Sequence, residues 1–147
     1  MTPVHQTIVS STKGNCLQAA FASLFDCTLE DVPHFILIDD MLEREHAMQR
    51  FVGEVTNQEW TYRFKAGGGA FYSEDDNVKQ AVSEAFYFDH TIGVVPSLNR
   101  NDCLHAIIID RTGLVVHDPT TKNSYLGRNV VEEKIIESFY IFRKFII

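Results

Sequence analysis

The sequence predicts an α+β fold in which helices come first along the chain and an antiparallel sheet follows. Apolar residues recur at helical spacing near the N-terminus, whereas β-branched and aromatic residues form short runs between turn residues from position 91 onward. The 147 residues, 45% of them hydrophobic, are enough to bury one core and contain no long linker. We therefore expect a single domain over residues 1–147.

The first predicted helix begins at Cys16, directly after Asn15, which is a favoured N-cap residue. Apolar residues at helical spacing define its buried face: Leu17, Ala20, Phe21 and Leu24. We expect this helix to end near Cys27. A cysteine therefore starts a buried helix.

The middle of the chain predicts two more helices and one strand. A short turn over 28–33 precedes a charged helix from 39 or 40 to about 55, and alternating aromatic residues predict a strand over 59–66. The glycines at 67–69 lack the Lys-Ser/Thr pair of a phosphate loop, and we expect them to form a flexible loop, a candidate flap beside the site. A third helix is predicted from 75 or 76 to about 85.

Strands dominate the last third of the chain. Apolar and β-branched runs predict strands over 91–95, 103–110, 114–118 and 135–147. The second and third of these flank a turn at 111–112, so they are expected to form a hairpin.

Composition and charge exclude several function classes. The net charge is -7 and the lysines and arginines are scattered, so the basic footprint of a nucleic-acid binder is missing. No apolar run is long enough to span a bilayer, and the N-terminus MTPVHQTIVSS lacks a signal-peptide pattern. Three cysteines without a short-spaced pair suit a reducing compartment. We expect a soluble cytoplasmic protein with no membrane or nucleic-acid partner.

A histidine and an aspartate come together in the predicted hairpin LHAIIIDRTGLVVHDP. If Asp110 pairs with Gly113 across a two-residue loop, or Ile109 with Leu114 across a four-residue loop, His105 lies directly opposite Asp118 on the neighbouring strand. The carboxylate then fixes the tautomer of the imidazole and leaves its other nitrogen free to act as a base. A structural His–Asp hydrogen bond at the end of a sheet is the alternative.

Cys16 is the candidate nucleophile, because the N-terminus of a helix and a nearby imidazole both stabilise a thiolate. Its backbone N–H is a candidate oxyanion donor, and the side chain of Gln6 or Asn15 is the second. Gln6 is preferred, because the loop containing Gly14 is long enough to bring it back to the helix. Asn15 is expected to cap the helix through the N–H groups of residues 17 and 18. The alternative for Cys16 is a small core residue.

The segments GNCLQAAFASLF, LHAIIID and VVHDP, with Gln6 upstream, resemble the papain-like cysteine peptidase superfamily. They are most similar to the double-glycine leader peptidases of bacteriocin exporters and to short phage and bacterial relatives. The resemblance implies a papain-like fold in which the nucleophile helix packs on a C-terminal antiparallel sheet. It assigns the oxyanion donor to Gln6, the nucleophile to Cys16, the base to His105 and the orienting acid to Asp118. Gln6 precedes Cys16 by ten residues, a wider gap than is usual in this family.

These observations predict a hydrolase that cleaves a peptide, amide or thioester bond through an acyl-thioester on Cys16. The expected partner is a peptide or protein substrate, with Gly14 and Asn15 as binding residues and no cofactor or metal. One alternative is an acyltransferase with the same triad, and another is a non-enzymatic binding module, such as a phage protein that sequesters a host factor. A zinc site formed by Cys103, His105 and Asp118 is a third alternative. The sequence does not indicate an oligomeric state.

Overall fold

The computed structural model describes residues 1–8 and 14–145, and in these ranges it contains three α-helices and five β-strands. The helices are α1 (Cys16–Leu24), α2 (Met41–Val55) and α3 (Asp76–Glu84). The strands are β1 (Trp60–Gly67), β2 (His90–Pro96), β3 (Leu104–Asp110), β4 (Val115–His117) and β5 (Ser138–Lys144). The α+β class is therefore confirmed. The strand predicted over 135–147 corresponds to β5, and residues 146 and 147 lie outside the described residues.

The five strands form one antiparallel sheet in the order β1-β5-β2-β3-β4. Successive residues of β3 point to opposite faces, so that Ala106 and Ile108 join one apolar cluster while Ile107 and Ile109 join another. Helices α1 and α2 pack on the first face. In the described ranges, no helix combines the length and the apolar character that a membrane span requires.

The second and third helices begin at the aspartates that the sequence predicts. The side chain of Asp40 accepts a hydrogen bond from the Glu43 N–H at 2.9 Å, and that of Asp75 accepts from the N–H groups of Asn77 and Val78. Each carboxylate satisfies donors that a helix start leaves unpaired. These caps explain why both helices begin where the sequence predicts.

Helix α1 is shorter than predicted. It ends at Leu24, because Asp26 adopts a left-handed backbone conformation with φ of 56°, which turns the chain out of the helix. The predicted end near Cys27 is therefore wrong.

Phe21 anchors α1 to the sheet and to α2. Its ring is fully buried, and the centroids of five other rings lie 4.8 to 6.2 Å from its own. The five rings are Phe25, Phe35, Phe51, Tyr140 and Phe142. Contacts of this density fix the position of α1, and therefore of Cys16 at its first turn.

The triple glycine does not form the predicted flexible loop. Gly68–Tyr72 is a short 3-10 helix, and the buried Gly68 donates its N–H to the Glu137 carbonyl at 2.9 Å. A Cβ at Gly68 would lie 2.0 Å from the Ile136 carbonyl oxygen, so the absence of a side chain allows this close packing. The prediction of a flap is therefore wrong.

The turn between β3 and β4 has three residues, 111–113, and so matches neither the two-residue nor the four-residue loop that was predicted. The Gly113 N–H donates to the Asp110 carbonyl at 3.1 Å, and the Asp110 N–H donates to the Leu114 carbonyl at 2.9 Å. Gly113 has a φ of +92°, so the turn is followed by a glycine bulge that adds one residue to the second strand. The first ladder pair is consequently Ile109 with Val115.

A second irregularity shifts the ladder again, so that Ile108 pairs with His117. Continued in this register, Asp118 would lie opposite Ile107 and not opposite His105. The predicted register, in which His105 pairs directly with Asp118, is therefore wrong. Because β4 ends at His117, Asp118 lies just beyond the ladder, where the chain leaves the strand.

Candidate active site

Cys16 lies at an open edge of the sheet. Strand β4 has only three residues and ends at His117, so it leaves the edge of β3 uncovered near His105 and Ala106. The first turn of α1 occupies this place, and the backbone of Ala106 forms a hydrogen bond with the Cys16 thiol. Cys16 as a residue is partly exposed.

His105 and Asp118 form a buried hydrogen-bonded pair. His105 donates from Nε2 to Asp118 Oδ1 at 2.6 Å, with side-chain exposures of 10% and 0%. Because Nε2 is committed to the carboxylate, Nδ1 is the ring nitrogen available for the hydrogen bond between His105 and the Cys16 thiol. The structure thus brings the three predicted triad residues together in the order Cys16, His105, Asp118.

Two backbone groups that the sequence analysis did not identify hold the carboxylate of Asp118. Oδ1 accepts from the Thr120 N–H at 2.9 Å, and Oδ2 accepts from the Tyr125 N–H at 2.8 Å. Burial opposes ionisation of Asp118, but the hydrogen bond and charge of His105 together with these two N–H groups outweigh it and lower its pKa. The Asp-Pro-Thr sequence is a signal for the first contact, since aspartate commonly bonds the N–H two residues ahead.

The pKa values of the Cys16 thiol and the His105 imidazole shift in opposite directions. Burial opposes the thiolate, but the hydrogen bond and charge of His105, with the backbone of Ala106 and Leu17, lower the pKa of Cys16. Burial likewise opposes the imidazolium, but Asp118 and Cys16 raise the pKa of His105 to about 9. A lowered thiol pKa beside a raised imidazole pKa favours a thiolate–imidazolium pair at neutral pH.

Gln6 is tied by its backbone to the loop that follows Asp118. Its backbone N–H donates to the carbonyl of Pro119, the residue after Asp118, at 3.0 Å. Its Nε2 makes a long hydrogen bond of 3.3 Å to the Ile8 carbonyl, and its Oε1 is buried without a hydrogen-bond partner. Its role as oxyanion donor stays a prediction.

Asn15 does not cap α1 as predicted. Its side chain makes no hydrogen bond to the helix N–H groups, and Oδ1 instead accepts from the N–H groups of Thr7 at 2.9 Å and Ile8 at 2.8 Å. Nδ2 donates to Thr7 Oγ1 at 3.0 Å and makes a long contact of 3.5 Å with Gln18 Oε1. The side chain of Asn15 bonds Thr7 and Ile8 instead of the helix N–H groups, because these two residues satisfy both the oxygen and the nitrogen of its fully buried carboxamide. Gly14, which precedes Asn15, is partly buried.

His117 takes no part in the triad but holds the N-terminal segment. Its Nε2 donates to the Val4 carbonyl at 2.7 Å, and its ring packs edge-on against His5 with centroids 5.2 Å apart. His117 therefore has a packing role. Nothing in the sequence signals this contact, because the partners are 113 positions apart.

The cysteines outside α1 do not complete a second site. Cys103 precedes β3, and Cys16, Cys27 and Cys103 are all free thiols. In the part of the chain that the structure describes, no group of three or more His, Cys, Asp or Glu residues is arranged to hold a metal ion.

Comparisons with protein-family models, with curated proteins and with solved structures find no match to this chain. The papain-like resemblance therefore stays a prediction, supported by the type and order of the site residues.

Proposed function

We propose that this chain is a cysteine-dependent hydrolase that cleaves a peptide, amide or thioester bond through an acyl-thioester on Cys16. The observation that carries the proposal is the chain of contacts from the thiol of a partly exposed cysteine to a buried imidazole and on to a buried carboxylate. Each group has the surroundings that its role requires: the thiol at a helix start, the imidazole between two partners, and the carboxylate held by backbone N–H groups.

In the proposed reaction, His105 Nδ1 takes the thiol proton and the Cys16 sulfur attacks the substrate carbonyl carbon. The carbonyl π electrons move to oxygen, and the tetrahedral oxyanion collapses as His105 protonates the departing amine or thiol. Water then attacks the acyl-thioester, giving its proton to His105, and the acid product leaves with Cys16 regenerated. Asp118 keeps Nε2–H engaged throughout, which stabilises the imidazolium.

Two N–H groups are proposed to bind the oxyanion. The Cys16 N–H is at the first position of α1, where backbone donors have no partner within the helix. Gln6 Nε2 is the proposed second donor, because only one of its two hydrogens is used by Ile8. Loss of one such donor typically lowers the rate by about a hundredfold to a thousandfold.

Alkylation by iodoacetamide, followed by peptide mass spectrometry, tests the nucleophile. At pH 7 Cys16 should react fastest of the three thiols, since burial and the charges of Asp31 and Asp26 raise the pKa of Cys27 to about 11. A Cys103→Ala variant is the matched control and should keep the fast reaction, which Cys16→Ala should lose. Faster labelling of Cys27 or Cys103 would overturn the assignment.

Turnover of an activated ester, a thioester and a peptide amide tests the reaction class. Cys16→Ala and His105→Ala should abolish turnover of any substrate that the wild type accepts. Product analysis with an added amine separates hydrolysis from acyl transfer, because an acyltransferase gives the amide in place of the acid. A fully active Cys16→Ala variant would exclude both reactions.

A further inference from the structure

Asn15 ties the N-terminal segment to the start of the nucleophile helix. Three hydrogen bonds of 2.8 to 3.0 Å join its carboxamide to Thr7 and Ile8, and its backbone N–H donates to the Ile8 carbonyl at 3.2 Å. The side chain is 1% exposed and belongs to the residue directly before Cys16. Residues 7 and 8 are therefore held at a fixed place relative to the nucleophile.

The other side of Gln6 is held equally firmly. Two residues before it, the Val4 N–H donates to Ser23 Oγ at 2.9 Å and the Val4 carbonyl accepts from His117 Nε2 at 2.7 Å. The backbone N–H of Gln6 itself donates to the Pro119 carbonyl. Gln6 thus lies between anchors on α1 and anchors at the end of β4, which are the elements that carry Cys16 and Asp118.

We infer that Asn15 is a positioning residue that sets the oxyanion donor Gln6 relative to Cys16, an inference that rests on the proposed function. Asn15 is poorly placed to be the donor itself, because its Nδ2 has two partners, Thr7 Oγ1 at 3.0 Å and Gln18 Oε1 at 3.5 Å. Gln6 has a free N–H and an unpaired buried Oε1, so its own side-chain contacts fix it only weakly. Its position therefore depends on the backbone anchors, and the nearest one on the Cys16 side is Asn15.

The test compares two reactions of the same thiol. Iodoacetamide alkylation builds no oxyanion, whereas acylation by p-nitrophenyl acetate passes through one, so the ratio of acylation to alkylation rates reports the oxyanion donors alone. Asn15→Ala should lower this ratio at least tenfold, in the direction of Gln6→Ala. Asn15→Asp keeps an acceptor for both N–H groups and should restore the ratio to within about threefold of wild type. Thr2→Ala, which removes a hydrogen bond to Asp26 in the same segment, is the matched control and should leave the ratio unchanged.

The outcomes separate this inference from the proposed function. A wild type in which neither reagent prefers Cys16 refutes the proposed function. Preferential alkylation of Cys16 with no acylation by the ester refutes the proposed acyl-thioester chemistry, whereas an unchanged ratio in Asn15→Ala refutes the inference alone. Should Asn15→Ala fail to fold, Ile8→Pro deletes one of the two N–H donors at an exposed residue, and the same fall in ratio is expected. An unchanged ratio in that variant also refutes the inference.

Discussion

Replacing Asp118 with asparagine should change the pH profile of Cys16 alkylation from a plateau into a steep rise. Asp118 and Cys16 together raise the pKa of His105 from 6.5 to about 9, which at about 1.4 kcal/mol per pH unit is about 3–4 kcal/mol in favour of the imidazolium, gained against a burial effect of opposite sign. Asparagine removes the charge, so burial then lowers the pKa of His105. The imidazole becomes neutral at pH 7, and the thiol loses its charged partner.

The size of the fall in alkylation rate follows from the fraction of Cys16 that is thiolate in Asp118→Asn. Without imidazolium the charge that lowers the pKa of Cys16 is lost while burial still opposes the thiolate, so the pKa rises toward its ordinary 9.0 and on the order of 1% is thiolate at pH 7. Alkylation at pH 7 should therefore fall by about tenfold to a hundredfold. The wild-type rate should stay nearly flat up to about pH 8.5, whereas the Asp118→Asn rate should rise about tenfold per pH unit.

The assay measures pseudo-first-order labelling by iodoacetamide from pH 6 to 9, with Cys27 as an internal reference in the same molecule. Because the pKa of Cys27 is about 11, its rate should rise about tenfold per pH unit in both proteins. Asp110→Asn is the matched control. Asp110 lies in the same hairpin, but its carboxylate accepts hydrogen bonds from Thr112 and Leu114 and not from His105, so this variant should keep the plateau.

The stability of Asp118→Asn must be measured together with its alkylation rate, because the substitution also removes a hydrogen-bond acceptor. Asparagine has one side-chain oxygen where the carboxylate uses two, so one buried N–H of the loop loses its acceptor, at a cost of about 1–3 kcal/mol. Thermal unfolding measures that loss separately. A plateau that survives in a folded Asp118→Asn protein, at the wild-type rate, would show that the charge of Asp118 does not act on Cys16.

Three further substitutions test the pair and the fold. Above pH 6.5, folding of the wild type adds a proton at His105, whose pKa is raised, and removes one from Cys16, whose pKa is lowered, so the two effects oppose each other. In Cys16→Ala only Asp118 raises the pKa of His105, and stability should fall as pH rises above 6.5, by at most about 1.4 kcal/mol per unit. Urea unfolding at pH 6.5, 7.5 and 8.5 measures this, and parallel curves for the two proteins would contradict it. Gly68→Ala should lower the free energy of unfolding by about 1–3 kcal/mol, because the new Cβ meets a backbone carbonyl. Gly69→Ala is the control and should change stability little, since nothing lies within 4 Å of its Cβ position. Equal melting temperatures for the two variants would contradict the close packing of Gly68. Phe21→Ala should cost about 3–5 kcal/mol by urea unfolding, since it empties the centre of the aromatic cluster, and a loss below about 1 kcal/mol would contradict its central place.

The helix starts at Asp40 and Asp75 were predictable because their determinants are local. Each aspartate bonds N–H groups two or three residues ahead, within the window that a sequence pattern covers. The end of α1 depends instead on the left-handed conformation of Asp26, which the sequence does not specify.

The hairpin register was missed for two different reasons. The sequence Asp110-Arg-Thr-Gly113 carries a signal for a turn followed by a glycine bulge, so the first shift was open to prediction. The second shift, between Ile108 and Ile109, has no comparable signal, since neither residue disfavours a regular ladder. A register derived from turn length alone accumulates both errors.

The mistaken role of Asn15 has another cause. Asparagine before an apolar helix is typical of an N-cap, and this local preference predicts a capping role for Asn15. The structure gives its carboxamide a partner eight positions upstream, at Thr7. A contact across a loop leaves no periodic pattern, so local propensity was overridden by tertiary packing.

His105 and Asp118 nevertheless meet, and the reason lies in Pro119. Proline has no N–H to donate, so the ladder cannot continue through it, and β4 ends at His117. The side chain of Asp118 is then positioned by the loop that follows, through the N–H groups of Thr120 and Tyr125, and not by its place opposite β3. The same early end leaves the edge of β3 open for the first turn of α1. One residue that stops a strand thus creates both the space that Cys16 occupies and the loop that aims the carboxylate at His105.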